Sequence, residues 1–347
     1  MFNFQDLKNS KKPYVIAEIG ANHNGDMALA REMIKAAKEC GADAAKFQSW
    51  NKHSLISKSE YDNNQSYDDC KKKHFGSLEE MVEKYYLRTE QHYELKEYCD
   101  ELQIDFCSTP FSNQDVDLLT DMGVGFLKVA SCDLTNWPLL QYMATKNLPV
   151  ILSTGMANLS EIDQAVQILE EAGATEIALL HCIAIYPPDN KDIHLNNIPM
   201  LRSAFKYPVG FSDHSIGSTI PLAAVALGAC IIEKHFTLDK DMEGWDHAIS
   251  ANPEELSAIC KGCEIIPEAL GNSHRSVSEA EKEKRSKFRR SIVVKNALKK
   301  GAILKEEDFL FKRPGTEISP TQLKLVVGRK LKNDLLEDQL IKWSDLE

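Results

Sequence analysis

Short apolar, β-branched runs that end in polar residues recur along the chain. They are YVIAEIG (14–20), AAKFQSW (44–50), DFCSTPF (105–111), FLKVAS (126–131), PVILSTG (149–155), IALLHCI (177–183), PVGFSDHS (208–215) and IIEKHFT (231–237). Amphipathic stretches with helical spacing lie between them, such as MALAREMIKAAKECGAD (27–43) and LSEIDQAVQILEEAGAT (159–175). Both close on Gly-Ala, a helix stop before a strand. Eight strands alternating with helices predict an α/β protein built on a closed (β/α)8 TIM barrel. An open doubly wound sheet shares the alternation, but the chain has neither GxGxxG nor a Walker sequence.

Two stretches break the rhythm. Residues 51–77, NKHSLISKSEYDNNQSYDDCKKKHFGS, are polar and weakly periodic, and follow the second strand. A loop of that length over a barrel mouth reads as a lid or as a passive insertion. After a final helix at 253–272, the stretch SVSEAEKEKRSKFRR (276–290) is almost wholly polar. It reads as a linker over 276–287, dividing a barrel over 1–275 from a small β-rich domain over 288–347, whose strand-like pieces are broken by Gly and Pro.

The 347 residues accommodate a barrel of roughly 250 residues plus an appendage. The balance of 41 basic and 52 acidic side chains, −11 overall, argues against a surface built for nucleic acid or anionic membrane. The longest uncharged apolar run, IPLAAVALGACII (220–232), is shorter than the roughly 20 residues that span a bilayer. The N-terminal MFNFQDLKNSKKP lacks an apolar signal core, and the nine cysteines form no framework, so a cytoplasmic protein with reduced thiols is expected.

The strand ends concentrate the chemistry, and the C-terminal mouth of such a barrel is where chemistry occurs. They carry Glu18, Asn22 and His23; Lys46 and Gln48; Ser108 and Thr109; Lys128 and Ser131; Ser153 and Thr154; His181; Ser212, Asp213 and His214; Glu233, Lys234 and His235. Residues two apart share a face, pairing Lys46 with Gln48, Ser212 with His214, and Glu233 with His235. Any one of these could be a satisfied polar layer, but polar groups ending all eight strands point to a site. Lys46 and Lys128 among the hydroxyls of Thr109, Ser131, Ser153 and Ser212 read as a cradle for a phosphate or carboxylate. His214 and His235, ending consecutive strands, could share a divalent metal ion or simply hydrogen-bond to neighbours. Glu18 is placed to act as a general base or to support a metal ligand.

Other features are discounted or set aside. Cys260 and Cys263 form a CxxC within a predicted helix, without the second pair a zinc site needs. Lys282 to Lys300 is rich in basic residues but has no aromatic platform, and reads as solvated linker rather than a nucleic-acid surface. Arg313 in KRPG is an Arg rigidified by Pro, and Asp246 in EGWDH lies in the last βα loop, where it could hold sugar hydroxyls.

Taken in order, AEIGANHNG, GADAAKFQ, STPF, KVAS, LSTGM, GFSDH, ALGACIIEKHFT, GWDH and KRPG cover nearly the whole chain. On these motifs the sequence resembles the sialic acid synthases, the N-acetylneuraminate synthase family of nonulosonic acid synthases. The resemblance implies a TIM barrel followed by an antifreeze-like (SAF) domain, in a domain-swapped homodimer whose tail reaches the partner's active site. It implies condensation of phosphoenolpyruvate with an open-chain N-acylated amino sugar to a nine-carbon 2-keto acid and phosphate. By matching motif, His214 and His235 would hold Mn2+, with Mg2+ or Co2+ as alternatives, and the ion would polarise the sugar aldehyde. Lys46, Thr109, Lys128, Ser131, Ser153 and Ser212 would grip phosphoenolpyruvate, and Glu18 would serve proton transfer. Gln48, Tyr186 and Asp246 match sugar-side positions, and Arg313 matches an arginine donated across the dimer to the N-acyl group.

The chain departs from the family pattern at two places. HCIAIYPP has Ile183 and Ala184 where a Thr-Asn or Thr-Ser pair is common, and Trp245 precedes Asp246 where proline or serine is commoner. Both departures bear on the sugar more than on the reaction. The rival readings are a sister synthase acting on a sugar phosphate and a non-catalytic polysaccharide-assembly protein that retains the barrel.

Overall fold

The computed structural model describes residues 2–9, 12–64 and 76–347. The chain divides into two compact units, Met1–Gly271 and Asn272–Glu347.

The first unit contains eight parallel strands: β1 (Tyr14–Gly20), β2 (Ala44–Ser49), β3 (Asp105–Pro110), β4 (Leu127–Val129), β5 (Val150–Ser153), β6 (Ile177–Cys182), β7 (Val209–Asp213) and β8 (Ile231–His235). They are hydrogen-bonded in the order β3-β2-β1-β8-β7-β6-β5-β4, and β3 packs beside β4 to close the ring. The expected TIM barrel is therefore present, with each strand where the apolar runs put it.

Strand periodicity sorts the side chains into two systems. Ile16, Ala44, Cys107, Phe126, Ile151, Ala178, Leu180 and Ile231 fill the barrel interior, and Phe4 and Leu7 of the N-terminal helix Phe4–Asn9 pack into the same cluster. Outward residues such as Val15, Ala17, Phe47, Leu152 and Ile232 pack against the surrounding helices, which contribute Met33, Leu95, Leu119, Leu169 and Ile259. Interior space is tight: a Cβ at Gly210 would lie 2.6 Å from the Ile231 carbonyl oxygen and 2.6 Å from a Leu180 methyl. Cys260 and Cys263 lie in the helix Pro253–Leu270 and are buried in the outer core, and the eight described cysteines are free.

The loop after β2 has structure of its own. Helices Lys52–Leu55, Lys58–Asn63 and Leu78–Tyr85 gather Tyr61, Leu78, Met81, Val82 and Tyr85 around Trp50 in a small apolar cluster. Part of the expected lid, residues 65–75, lies outside the described residues.

In the second unit, the polar stretch read as linker contains a helix, Glu279–Phe288. Ser278 caps it by accepting from the Glu281 N–H, and it buries no side chain. Beyond it, β9 (Ser291–Val294) pairs antiparallel with β10 (Phe309–Lys312), around a core that includes Ile292, Val294, Leu304, Ile318, Leu331 and Ile341. No helix among the described residues is long and apolar enough to cross a membrane.

Not every polar residue at a strand end faces the mouth. Asp213 and Lys234 point outward and meet in a fully buried ion pair, 2.7 Å apart. Lys234→Met would leave Asp213 buried and unpaired, and should cost about 3–5 kcal/mol in urea unfolding. His23 is also buried, its Nδ1 accepting from the Gly25 N–H at 3.1 Å. Burial, with His92 nearby, depresses its pKa to about 4. The unfolded chain, titrating near 6.5, takes up this proton first, so the stability held by neutral His23 is complete above that pH and is lost as pH falls toward 4. The loss should reach about 3 kcal/mol, and His23→Gln should flatten stability measured between pH 7 and pH 4.

Candidate active site

Above the apolar floor, the same inward-facing positions turn polar. Every expected site residue except Asp246 and Arg313 lines one cavity of about 240 Å³: Glu18, Lys46, Gln48, Thr109, Lys128, Ser131, Ser153, Tyr186, Ser212, His214 and His235. Strand register puts them together, since Glu18 lies beside Lys46 on β2 and beside His235 on β8, and Gln48 lies beside Thr109. The pairs Lys46/Gln48, Ser212/His214 and Glu233/His235 each enter the cavity from one strand face.

Lys46 is buried, with its Nζ 2.8 Å from Glu18 and donating to Thr109 Oγ1 at 3.1 Å. Lys128, equally buried, donates to Ser153 Oγ at 2.7 Å and to the Val129 carbonyl at 2.9 Å. Glu233 stands between them, 3.8 Å from Lys46 and 3.7 Å from Lys128, and accepts from Ser212 Oγ at 3.1 Å. Sequence reasoning gave Glu233 no role, although its two-residue spacing from His235 was the signal that it enters the cavity. Cys182 and Phe111 also line the cavity and were not foreseen.

These contacts set the protonation pattern. Burial pushes the Glu18 pKa up, and the attraction of Lys46 offsets this only in part. Burial works against charge on Glu233 as well, but there Lys128, Lys46 and the Ser212 hydroxyl prevail and hold its pKa down. The Lys46 pKa is raised, because Glu18 and Glu233 outweigh its desolvation, whereas desolvation wins at Lys128 and lowers it. The two carboxylates share Lys46, so they titrate as a pair.

On the opposite wall, the His214 and His235 ring centroids are 5.4 Å apart, and Tyr186 lies 4.0 Å from His214. His214 Nδ1 lies 2.8 Å from the Ile183 carbonyl, so in the neutral ring the proton sits on Nδ1 and Nε2 carries the lone pair; burial works against charge on this ring, but the Cys182 and Ile183 contacts prevail and raise its pKa. Burial, followed by the neighbouring cations and His214, holds His235 neutral. Its Nδ1 makes no hydrogen bond and lies 3.6 Å from the Asp246 carboxylate. Burial raises the Asp246 pKa to about 6. Among the described residues, no group of three or more His, Cys, Asp or Glu is arranged to hold a metal ion.

Several polar residues near the mouth are structural. Ser108 bonds Ser49, which contacts His92; Thr154 donates to the Leu180 carbonyl; His181 contacts the Ile193 carbonyl. Asn22 donates to the Phe236 carbonyl and to Ser250 Oγ, tying the β1 loop to the β8 loop. Gly20 ends β1 at an irregularity with φ +55°, a conformation suited to glycine, and a Cβ there would crowd the Gln48–Glu18 hydrogen bond. Arg313 belongs to the second unit, where its guanidinium lies 5.0 Å from the Phe288 ring centre.

This architecture has named relatives. The NeuB family model matches residues 33–275 and the SAF domain model matches residues 289–347. The chain is 41% identical over 338 residues to the N,N'-diacetyllegionaminic acid synthase of Campylobacter jejuni, covering 96% of this chain and 99% of that protein. It is 39% identical over 342 residues to the enzyme of the same name from Legionella pneumophila, covering 96% and 94%. The crystal structure of N-acetylneuraminic acid (sialic acid) synthetase from Leptospira borgpetersenii, in complex with citrate, superposes with a TM-score of 0.70 at 37% identity, over 79% of this chain and 90% of that one. With its barrel and its C-terminal unit each matched in turn, the chain belongs to the NeuB family and ends in a SAF domain.

Proposed function

We propose that the protein condenses phosphoenolpyruvate with an open-chain N-acylated amino sugar, N-acetylmannosamine or a 2,4-diacetamido-2,4,6-trideoxyhexose, to a nine-carbon 2-keto acid and phosphate. The observation that carries this reading is the pairing, in one cavity, of two buried lysines ringed by hydroxyls with two imidazoles on the facing wall. An anion cradle beside a site for a polarised carbonyl is what a phosphoenolpyruvate–aldehyde condensation requires. The diacetylated product in both relatives' names favours the diacetamido sugar.

Lys46 and Lys128, with Thr109, Ser131, Ser153 and Ser212, hold the carboxylate and phosphate of phosphoenolpyruvate. Gln48, Tyr186 and Asp246 orient the sugar, and Arg313 of a second subunit takes its N-acyl group in a domain-swapped homodimer. Carbon 3 of phosphoenolpyruvate attacks the aldehyde carbon, whose oxygen takes a proton. Water then adds at carbon 2 and loses a proton. The resulting hydroxyl loses its proton as the bond between carbon 2 and the phosphate oxygen breaks, leaving a ketone and free phosphate. Glu18 lies between Lys46 and Gln48, at the seam of the two substrate halves, and its raised pKa suits it to exchange these protons.

The chemistry of the donor set at the other wall fits a divalent cation: a neutral His235, and the Nε2 of His214 once that ring is neutral. His214 and His235 would hold Mn2+, or Mg2+ or Co2+ in its place, and the ion would polarise the sugar aldehyde as a Lewis acid.

Incubation with phosphoenolpyruvate, Mn2+ and a panel of N-acylated amino sugars should release phosphate. No release with any N-acylmannosamine or 2,4-diacetamido-trideoxyhexose would overturn the reading. His214→Ala and His235→Ala should each abolish metal-dependent turnover with the fold retained, as judged by circular dichroism. Mixing Glu18→Ala with Arg313→Ala chains should restore part of the activity once subunits exchange, and failure to do so despite proven exchange would count against the shared site.

A further inference from the structure

Asp246 is fixed on one side by hydrogen bonds and on the other by an aromatic contact. On its C-terminal side, its carbonyl accepts from Ser250 Oγ at 2.7 Å, and that hydroxyl accepts in turn from Asn22 at 2.9 Å. The next residue, His247, is buried between Thr237 at 2.6 Å and Asn24 at 3.3 Å. On the N-terminal side stands Trp245, whose ring lies edge-on to Trp50 with centroids 6.4 Å apart. Trp50 is itself buried, donates to the Val82 carbonyl, and is packed among Tyr61, Leu78, Met81 and Tyr85. Its other neighbour is Phe111, edge-on at 5.9 Å, and Phe111 lines the cavity. One aromatic row thus joins the β2 loop, the β3 loop and the β8 loop beside the mouth.

Most of the lysine and hydroxyl cradle and the neighbouring Asp246 therefore have different supports. Lys46, Thr109, Lys128, Ser153 and Ser212 stand on the barrel strands themselves, braced by strand pairing. Asp246 stands on a loop, and its placement near His235 depends on how that loop docks. An edge-to-face aromatic pair adds to the stabilisation from the area it buries, enough to bias a loop position.

We propose that Trp245 is a positioning residue that docks the β8 loop on the β2 loop through Trp50, holding the Asp246 carboxylate and the Phe111 wall in place for the sugar. It touches neither reactant, and its influence falls on the sugar half alone. The sugar-specific part of this inference rests on the proposed function, whereas the coupling of the two loops does not.

Kinetics and hydrogen exchange test the two parts separately. Trp245→Ala should raise the KM for the sugar about tenfold, the upper end of what one edge-to-face pair supplies, and leave that for phosphoenolpyruvate unchanged. Trp245→Phe, which keeps a ring against Trp50, should restore the sugar KM to near the wild-type value. In hydrogen exchange, Trp245→Ala should speed amide exchange both in 241–247 and across the cluster in 78–85. An unchanged sugar KM, a rise in both KM values together, or a Trp245→Phe variant as impaired as Trp245→Ala would overturn the proposal. If the wild-type protein turns over no N-acylated amino sugar, the proposed function falls and exchange alone decides. Faster exchange confined to 241–247 would then refute the coupling, and faster exchange in both segments would sustain it.

Discussion

Two lysine ammonium groups buried at one end of a barrel set the terms for the rest of the structure. Removing each from water carries a penalty of several kcal/mol, repaid only by charges and hydrogen bonds of good geometry. Lys46 and Lys128 are repaid by Glu18, Glu233, Thr109, Ser153 and the Val129 carbonyl. The result is a quartet of two cations and two carboxylates threaded across β1, β2, β4 and β8. Because each member stands on a different strand, the ring must close before any of them is satisfied. The site and the fold are in this sense one constraint.

The quartet also changes the electrostatic reading of the mouth. Two lysines in an acidic protein suggest a positive pocket, yet Glu18 and Glu233 bring the formal charge of the group to zero. The cradle is thus a store of preorganised donors rather than a field reaching into solvent. In the proposed reaction an incoming anion would gain by replacing carboxylate contacts at the lysines, and the protonation bias between Glu18 and Glu233 would decide which carboxylate yields. Glu233 is held ionised by both lysines, whereas Glu18 is the one that burial brings toward its neutral form. Such a divergence of two neighbouring carboxylates separates an acid–base group from a fixed charge.

The barrel was legible because strand and helix spacing repeat eight times, and the residues at the mouth because polar side chains end each apolar run. What escaped were properties of partnership. Asp213 and Lys234 look like mouth residues in the sequence, and only their odd register against Ser212 and Glu233 marks them as facing outward, where they neutralise each other. Glu233, though placed at the mouth beside His235, was given no role because a carboxylate next to a cradle for anions looks unhelpful until its two lysines are seen to need it. The helix Glu279–Phe288 was hidden for a different reason. It buries nothing, so no apolar stripe announces it, and only the Ser278 cap and the helix-favouring run of Glu and Lys signal it.

The division between strand-borne and loop-borne groups has a consequence for how such a site can vary. Residues on barrel strands are locked by pairing and interior packing, so a change there disturbs the whole ring, as the crowding at Gly210 illustrates. Residues on the βα loops answer to local contacts of about a kcal/mol, which a single substitution can redirect. In the proposed reaction most of the groups that grip phosphoenolpyruvate are built the first way, with Ser131 the exception, whereas on the sugar side Gln48 stands on β2 and Tyr186 and Asp246 stand on loops. A cofactor-like common substrate and a variable partner call for this partition, and in this chain the departures at Ile183, Ala184 and Trp245 all fall in loops.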